Sequence, residues 1–316
     1  TSTKILITGA TGFIGSALCR ALVGESSQVR VLLRNPALSA NIPKQLRAEV
    51  AIGDLEDPQS LIEACADTDV VFHLAGMAHV PVGSEQQSHA INVLGTKNLL
   101  SAAHEQKVGR IVYLSSSLAH AAEIGSGDVT EYGRQKLAAE KLIEEATARR
   151  KLEAVILRAV NVYGVGMKGN IAGMITLIRK GYLPPLPALS SRISLLGVDD
   201  LAAAFLLAAR TPEAAGKTYT VTDGQTYPIA AIEEAIYRCL NKALPRWRTP
   251  AVILYAASAI AGFLPKLVGN EGSISTRTYR NLTADNLFEN TSICAELGFA
   301  PSSNFYQALP GIIEHQ

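Results

Sequence analysis

The chain has 316 residues, 48% of them apolar and 18% charged, with a formal net charge of +1. That is material for one large domain or two modest ones. Near-balanced charge excludes a broad basic field for nucleic acid or an acidic membrane, but is compatible with a local basic pocket for a phosphorylated ligand.

The four cysteines, Cys19, Cys65, Cys239 and Cys294, are far apart and form no C-x-x-C pair. Neither zinc nor a disulfide framework is expected, and a reducing cytoplasmic setting is. Thr1-Ser2-Thr3-Lys4 runs straight into Ile5-Leu6-Ile7, so no secretory leader is expected.

Taken in chain order, Lys4–Thr8 predicts a strand, Ser16–Val23 a helix, Val29–Leu33 a strand and Val50–Ile52 a weaker one. Pro58–Ala66 predicts a helix, Val70–Leu74 a strand, Ser88–His104 a helix and Arg110–Ser115 a strand. Tyr132–Ala148, rich in Ala, Glu, Lys and Leu, predicts a long helix, and Ala154–Arg158 a strand. This alternation predicts an α/β fold of the Rossmann type: a doubly wound parallel sheet with helices on both faces. After Tyr163 the pattern changes to a Gly-rich run and a Pro-rich loop, with a helix at Asp199–Ala209 and a strand at Thr218–Val221. The expected division is a dinucleotide-binding domain over 1–163, to which 193–222 returns, and a smaller interleaved substrate lobe over 164–192 and 223–316. The apolar run Ala251–Leu264 is too short to cross a bilayer and reads as a buried or partner-facing helix, so no stable membrane insertion is expected.

Gly9-Ala10-Thr11-Gly12-Phe13-Ile14-Gly15 follows the first strand and opens the first helix. Glycines let the backbone turn tightly and approach a pyrophosphate, and the helix N-terminus offers N–H groups and a positive dipole end. The spacing is G-x-x-G-x-x-G rather than the commoner G-x-G-x-x-G; its strand–turn–helix context gives it weight. Where an acidic residue would bind the adenosine ribose of NAD, this chain has Arg34. A guanidinium suits the extra phosphate of NADP, so NADP is favoured over NAD. A solvated surface arginine is the plain alternative. Asp54, after the third strand, is placed to bond the adenine amino group.

Tyr132-Gly133-Arg134-Gln135-Lys136 puts Tyr and Lys on one helix face. An ammonium beside a phenol favours the phenolate, and the expectation is a Tyr132 pKa drawn down from about 10 toward neutrality. Tyr132 is then a general acid/base for a carbinol–carbonyl pair, with a hydroxyl from the Ser115-Ser116-Ser117 run holding the substrate oxygen. His79, His89 and His120 have no metal-site spacing, and no metal is expected.

Together these residues resemble the extended short-chain dehydrogenase/reductase family, the NAD-dependent epimerase/dehydratase group. Its further markers here are Gly53-Asp54-Leu55, His73-Leu74-Ala75-Gly76, Asn92-Val93-Leu94-Gly95-Thr96 and Leu157-Arg158 with Val162-Tyr163-Gly164. The resemblance covers nearly the whole chain. It implies a cofactor along the strand ends, against Gly9, Gly12, Phe13, Ile14, Gly15, Arg34, Asp54, Leu55, Leu74, Ala75, Gly76, Tyr132 and Lys136, with Lys136 also on the nicotinamide ribose. It makes Ser116 the catalytic serine, with Ser117 the fallback and a substrate contact. Dehydratases of the family carry Asp-Glu after the catalytic Ser/Thr; this chain has Ser117-Leu118, so dehydration is not expected.

The segments His73–Val80 and Tyr163–Asn170 resemble the nucleotide-sugar 4-ketoreductase and 4-epimerase branch. That branch implies a UDP-linked sugar, contacted by Asn161, Asn170, Arg192 and either Arg280 or Arg277, and a homodimer through the helices of 88–104 and 132–148. Two other readings stand beside it. One is a reductase or dehydrogenase of a steroid- or flavonoid-like alcohol or ketone, with no use for Arg192. The other is a non-catalytic NADP-binding protein, against which the intact Ser116, Tyr132 and Lys136 argue.

Overall fold

A computed structural model describes residues 2–78, 83–125, 129–150, 152–253 and 282–316. The expected contacts Arg280 and Arg277, the residue His79, and most of the apolar run, 254–264, lie outside them. The described chain forms two compact units: Thr1–Val160 with Val198–Val221 and Asn290–Ala300, and Asn161–Gly197 with Thr222–Glu289 and Pro301–Gln316. Relative to the expected boundaries, residues 161–163, 193–197 and 222 belong to the second unit and Asn290–Ala300 to the first. Strand pairing is the reason, because 192–197 bonds to strands of the second unit rather than to the large sheet.

The first unit carries a seven-stranded parallel sheet in the order β3-β2-β1-β4-β5-β6-β9. Its strands are β1 (Lys4–Thr8), β2 (Gln28–Leu33), β3 (Glu49–Ile52), β4 (Val70–His73), β5 (Arg110–Ser116), β6 (Glu153–Ala159) and β9 (Lys217–Val221). The inner strands are apolar runs buried on both faces, as a sheet covered by helices requires. One face is covered by α2 (Pro58–Cys65), α4 (Gly95–Glu105) and α6 (Glu131–Arg150), with Leu61, Leu99, Ala103, Ala139 and Ile143 in its core. Against the other lie α1 (Phe13–Ala21) and α8 (Val198–Arg210), where Phe72 of β4 meets Phe205 edge-on at 5.6 Å.

Two elements differ from expectation in ways that bear on the site. The stretch expected as one helix over 88–104 begins at α3 (Glu85–His89), opens into a π turn over Ala90–Leu94 and continues as α4. The serine run ends β5 as expected, and it also caps and opens a helix that was not expected, α5 (Ser117–Ile124).

The second unit has a three-stranded sheet, β10-β8-β7. It pairs β7 (Asn161–Tyr163) parallel to β8 (Arg192–Gly197), with β10 (Thr226–Pro228) antiparallel. Helices α7 (Asn170–Lys180), α9 (Ile229–Cys239) and α11 (Phe305–Glu314) also belong to this unit, and α10 (Thr291–Leu297) to the first. A knot around Asp223 ties the small sheet to α11: its carboxylate accepts from Tyr227 Oη at 2.5 Å, and the same phenol oxygen accepts the Phe305 N–H.

Candidate active site

The strand order reverses between β1 and β4, and in open α/β sheets the crevice at such a reversal is where ligands bind. The Gly-rich turn sits there. Gly9 has φ +77°, and a Cβ on it would lie 2.6 Å from the Ala75 N and 2.9 Å from the Leu74 carbonyl carbon. A Cβ on Gly15 would fall 2.1 Å from the Gly9 oxygen. These glycines let the β1 turn, the exit of β4 and the first turn of α1 crowd together. Gly12 is different: its Cβ would meet only the Gly9 oxygen, at 3.3 Å. Gly12 is also the N-cap of α1 and supplies no side-chain cap, so Phe13 and Ile14 open a helix whose N-terminus faces out bare. This turn fits a dinucleotide pyrophosphate: a cradle stripped of side chains at a helix N-terminus.

Around the turn, Arg34 follows β2, exposed, with no ion pair among the described residues. Asp54 caps its own turn, accepting the Glu56 N–H at 3.0 Å. Leu55 is buried and held from α4: Asn98 donates to its carbonyl at 2.9 Å, and Gly95 leaves room for its Cβ. Gly76 lies close to the centre of the site, where a Cβ would come 3.6 Å from Lys136 Nζ.

Strand register assembles the floor. Thr8, His73 and Tyr113 are register partners across β1, β4 and β5. His73 Nδ1 is 2.7 Å from Thr8 Oγ1 and its Nε2 is 3.0 Å from Thr96 Oγ1, while its ring leans on Tyr113 at 5.3 Å. Burial, reinforced by the nearby Lys136 charge, pushes the imidazole pKa down to about 3, so His73 is a neutral spacer.

Lys136 is buried, donates to the Leu114 carbonyl at 2.7 Å, and rests 4.5 Å above the Tyr113 ring and 5.7 Å from the Tyr132 ring. Burial draws its pKa down to about 7, against the opposing pull of Glu140. The expected lowering of the Tyr132 pKa is not found. Burial pushes that phenol above its ordinary value of 10. The physical reason is desolvation: burial penalises the phenolate more than the neighbouring ammonium favours it.

The three serines separate by role. Ser115 is buried and donates to Glu140 at 2.5 Å. Glu140 in turn takes a two-pronged ion pair from Arg158, at 2.6 and 3.0 Å, and Arg158 reaches Glu123 of α5 at 2.7 Å. Ser116 is the N-cap of α5, accepting the Leu118 N–H at 3.2 Å, which leaves its own O–H to donate. Ser117 is buried inside the first turn of α5. Helix α6 begins at Thr130, whose Oγ1 accepts the Gly133 N–H at 2.6 Å. A Cβ on Gly133 would stand 2.5 Å from the Leu118 carbonyl, so this glycine lets Tyr132 come up against the serine end of α5.

Sequence reasoning missed several of these parts. The π turn aims Asn92 so that its amide binds both the Met77 N–H and carbonyl, at 2.8 and 3.1 Å, and the Gln135 side chain at 2.8 Å. Tyr113 under the lysine, the Glu140–Arg158 pair and Gly133 were also unassigned. Each lay inside a motif read for another purpose, and only the period-four spacing of Tyr132, Lys136 and Glu140 pointed toward one.

The expected substrate residues lie on the second unit. Asn161 is exposed in β7, and Asn170 is the exposed first residue of α7. Arg192 opens β8 and pairs with Asp285 at 2.9 Å, holding that carboxyl below the usual range. Among the described residues no cluster of His, Cys, Asp and Glu could hold a metal, and no helix is long and apolar enough to cross a membrane.

Comparison with known proteins agrees with this framework. The family model "NAD dependent epimerase/dehydratase family" matches residues 5–222. A 2-alkyl-3-oxoalkanoate reductase of Stenotrophomonas maltophilia is 35% identical over 244 residues, 72% of this chain and 72% of its own. A UDP-glucose 4-epimerase of Vibrio cholerae is 27% identical over 265 residues, 79% of each. The crystal structure of a UDP-glucuronic acid 4-epimerase from Bacillus cereus in complex with NAD superposes with a TM-score of 0.76, covering 99% of this chain and 98% of that one at 20% identity, a likeness of fold. By the extent of the family match and the identity to these relatives, this chain belongs to the NAD dependent epimerase/dehydratase family of enzymes.

Proposed function

We propose that the protein is an NAD(P)-dependent oxidoreductase acting at carbon 4 of a nucleotide-linked sugar, best a UDP-sugar, and working chiefly as a reductase of the 4-keto form. One observation carries the chemistry: Tyr132 and Lys136 share a face of α6, and Gly133 brings that helix within contact of the helix capped by Ser116.

When bound, the nicotinamide supplies or accepts the hydride. Tyr132 handles the proton. A phenol kept protonated by burial is set to donate to a carbonyl oxygen as that oxygen takes up charge, which favours the reducing direction at neutral pH. Ser116, already accepting from Leu118, donates its O–H to the same oxygen and fixes its direction. Lys136, anchored on Leu114, keeps further N–H donors for the cofactor ribose. Gly9, Gly12, Phe13, Ile14 and Gly15 hold the pyrophosphate. Asp54, Leu55, Leu74, Ala75 and Gly76 line the dinucleotide, and Arg34 favours NADP. Within the second unit, Asn161 and Asn170 are exposed polar groups, and Arg192 has N–H groups beyond those on Asp285 for a phosphate oxygen.

A second reading, a reductase of an apolar keto compound, is favoured by the Stenotrophomonas relative and by the carboxylate already paired with Arg192. Purified protein given NADPH and a UDP-4-keto-sugar should consume the cofactor stoichiometrically, and Tyr132→Phe should lower turnover by about 10²–10⁴-fold. Cofactor returned unchanged with inversion at carbon 4 would make it an epimerase. Turnover only with apolar ketones, insensitive to Arg192→Ala, would establish the second reading instead.

A further inference from the structure

Whole-chain charge balance hides a local imbalance in the second unit. Between Glu234 and Glu271 the sequence has no acidic residue, yet it carries Arg238, Lys242, Arg246, Arg248 and Lys266. The chain after α9 is fastened to the loop after α7 by backbone and buried contacts. Lys242 Nζ donates to the Ile178 and Arg179 carbonyls at 2.9 and 2.6 Å. The Thr249 N–H donates to the Pro185 carbonyl at 3.3 Å. Glu233, fully buried, accepts the Leu186 N–H at 2.7 Å and pairs with Arg248. These ties hold the two segments against each other.

Their surface is apolar where it meets water. Val252, Tyr182 and Trp247 are, at 76%, 75% and 59%, the three most exposed large apolar side chains among the described residues, and Ile253 beside Val252 is 57% exposed. Leaving such groups in water forgoes their burial energy, so a patch of them marks a contact surface. Arg246, next to Trp247, is exposed and makes no ion pair among the described residues. Aromatic side chains with one polar edge, aliphatic tips and an exposed cation are the composition that seats at a lipid headgroup boundary.

We propose that this face docks the protein on an anionic phospholipid surface. Trp247 and Tyr182 sit at headgroup level, Val252 and Ile253 reach into the acyl boundary, and Arg246 meets the phosphates.

Trp247 is the single tryptophan, so its fluorescence reports on the patch directly. The full chain is titrated with phosphatidylcholine vesicles with and without phosphatidylglycerol, and co-flotation is measured alongside. The expected result is a blue shift and loss of iodide quenching with the anionic vesicles, co-flotation with them, and reversal by salt. Arg246→Glu, which alters the charge by two units, should weaken partition roughly thirtyfold with turnover unchanged. Tyr182→Ser should weaken it while leaving the charge alone. No emission change with anionic vesicles overturns the proposal. So does flotation of both variants equal to the parent, a response indifferent to lipid charge and salt, or a blue shift that follows protein concentration without lipid, which would mean a second copy covers the face.

Discussion

Lys136 shows how one buried side chain is pulled in several directions. Desolvation strips its charge toward a pKa of about 7, Glu140 pulls the other way, and the Tyr113 ring and Leu114 carbonyl hold the ammonium that remains. The spacing to Tyr132 was legible in the sequence; the sign of the effect on the phenol was not, because desolvation depends on what packs around it. Arg34 is the simpler case. It stands exposed past the end of β2, and among the described residues no carboxylate pairs with it. Arg34→Ala should therefore weaken NADP by roughly 10–100-fold, the loss of charge-assisted bonds to one phosphate, and leave NAD nearly untouched. Equal weakening of both cofactors, measured by titration, would count against a role in that choice.

At the scale of elements, the distance between α5 and α6 decides whether Ser116 and Tyr132 serve one oxygen. Gly133 sets it by letting α6 approach the Leu118 carbonyl to a distance no Cβ tolerates. Gly133→Ala should push the helices apart by some tenths of an ångström. The expected outcome is turnover reduced more than about tenfold, since small misplacements of catalytic groups cost that much or more, with cofactor affinity retained. Normal turnover in a well-folded Gly133→Ala protein would show that the approach is not needed. The buried Ser115–Glu140–Arg158 cluster, with exposed Glu123 at its end, braces the same pair of helices, joining β5, α6, β6 and α5. Removing one partner would strand a buried charge. Helix α5 itself was not legible: Ser117–Ile124 has small residues on most faces and a weak apolar stripe, so its helical state comes from the Ser116 cap and from packing under α6.

For the molecule as a whole, two buried bases set a pH dependence. His73 is held neutral, its pKa down from 6.5 to about 3, so between those values the unfolded chain binds a proton that the folded one refuses. Lys136, down from 10.5 to about 7, repeats the pattern in the next window. Where the unfolded state binds more protons, stability rises with pH. The ligand-free protein should thus gain stability from about 3 to 6.5 through His73 and from about 7 to 10.5 through Lys136. Denaturant midpoints of the parent and Lys136→Met across both windows test this. Burial raises the Cys19 and Cys65 thiols from 9.0 to about 11 and about 12, and raises the Tyr132 phenol, so these groups oppose the gain above about pH 9. The parent-minus-variant difference is therefore read: it should rise from about 7 to 10.5, and a flat difference would contradict the assignment.

The apolar runs of β1, β2, β4, β5 and β6, the glycines between β1 and α1, and the Tyr132–Lys136 spacing were determined by the sequence alone, because local period and local sterics dictate them. Only the tertiary structure decided the row Thr8–His73–Tyr113, the sorting of three adjacent serines into brace, cap and core, and the pairing of Arg192 with Asp285. Those depend on strand register and on burial. Both are fixed by residues far apart in the chain, and burial in turn reverses what charge proximity by itself would predict for Tyr132.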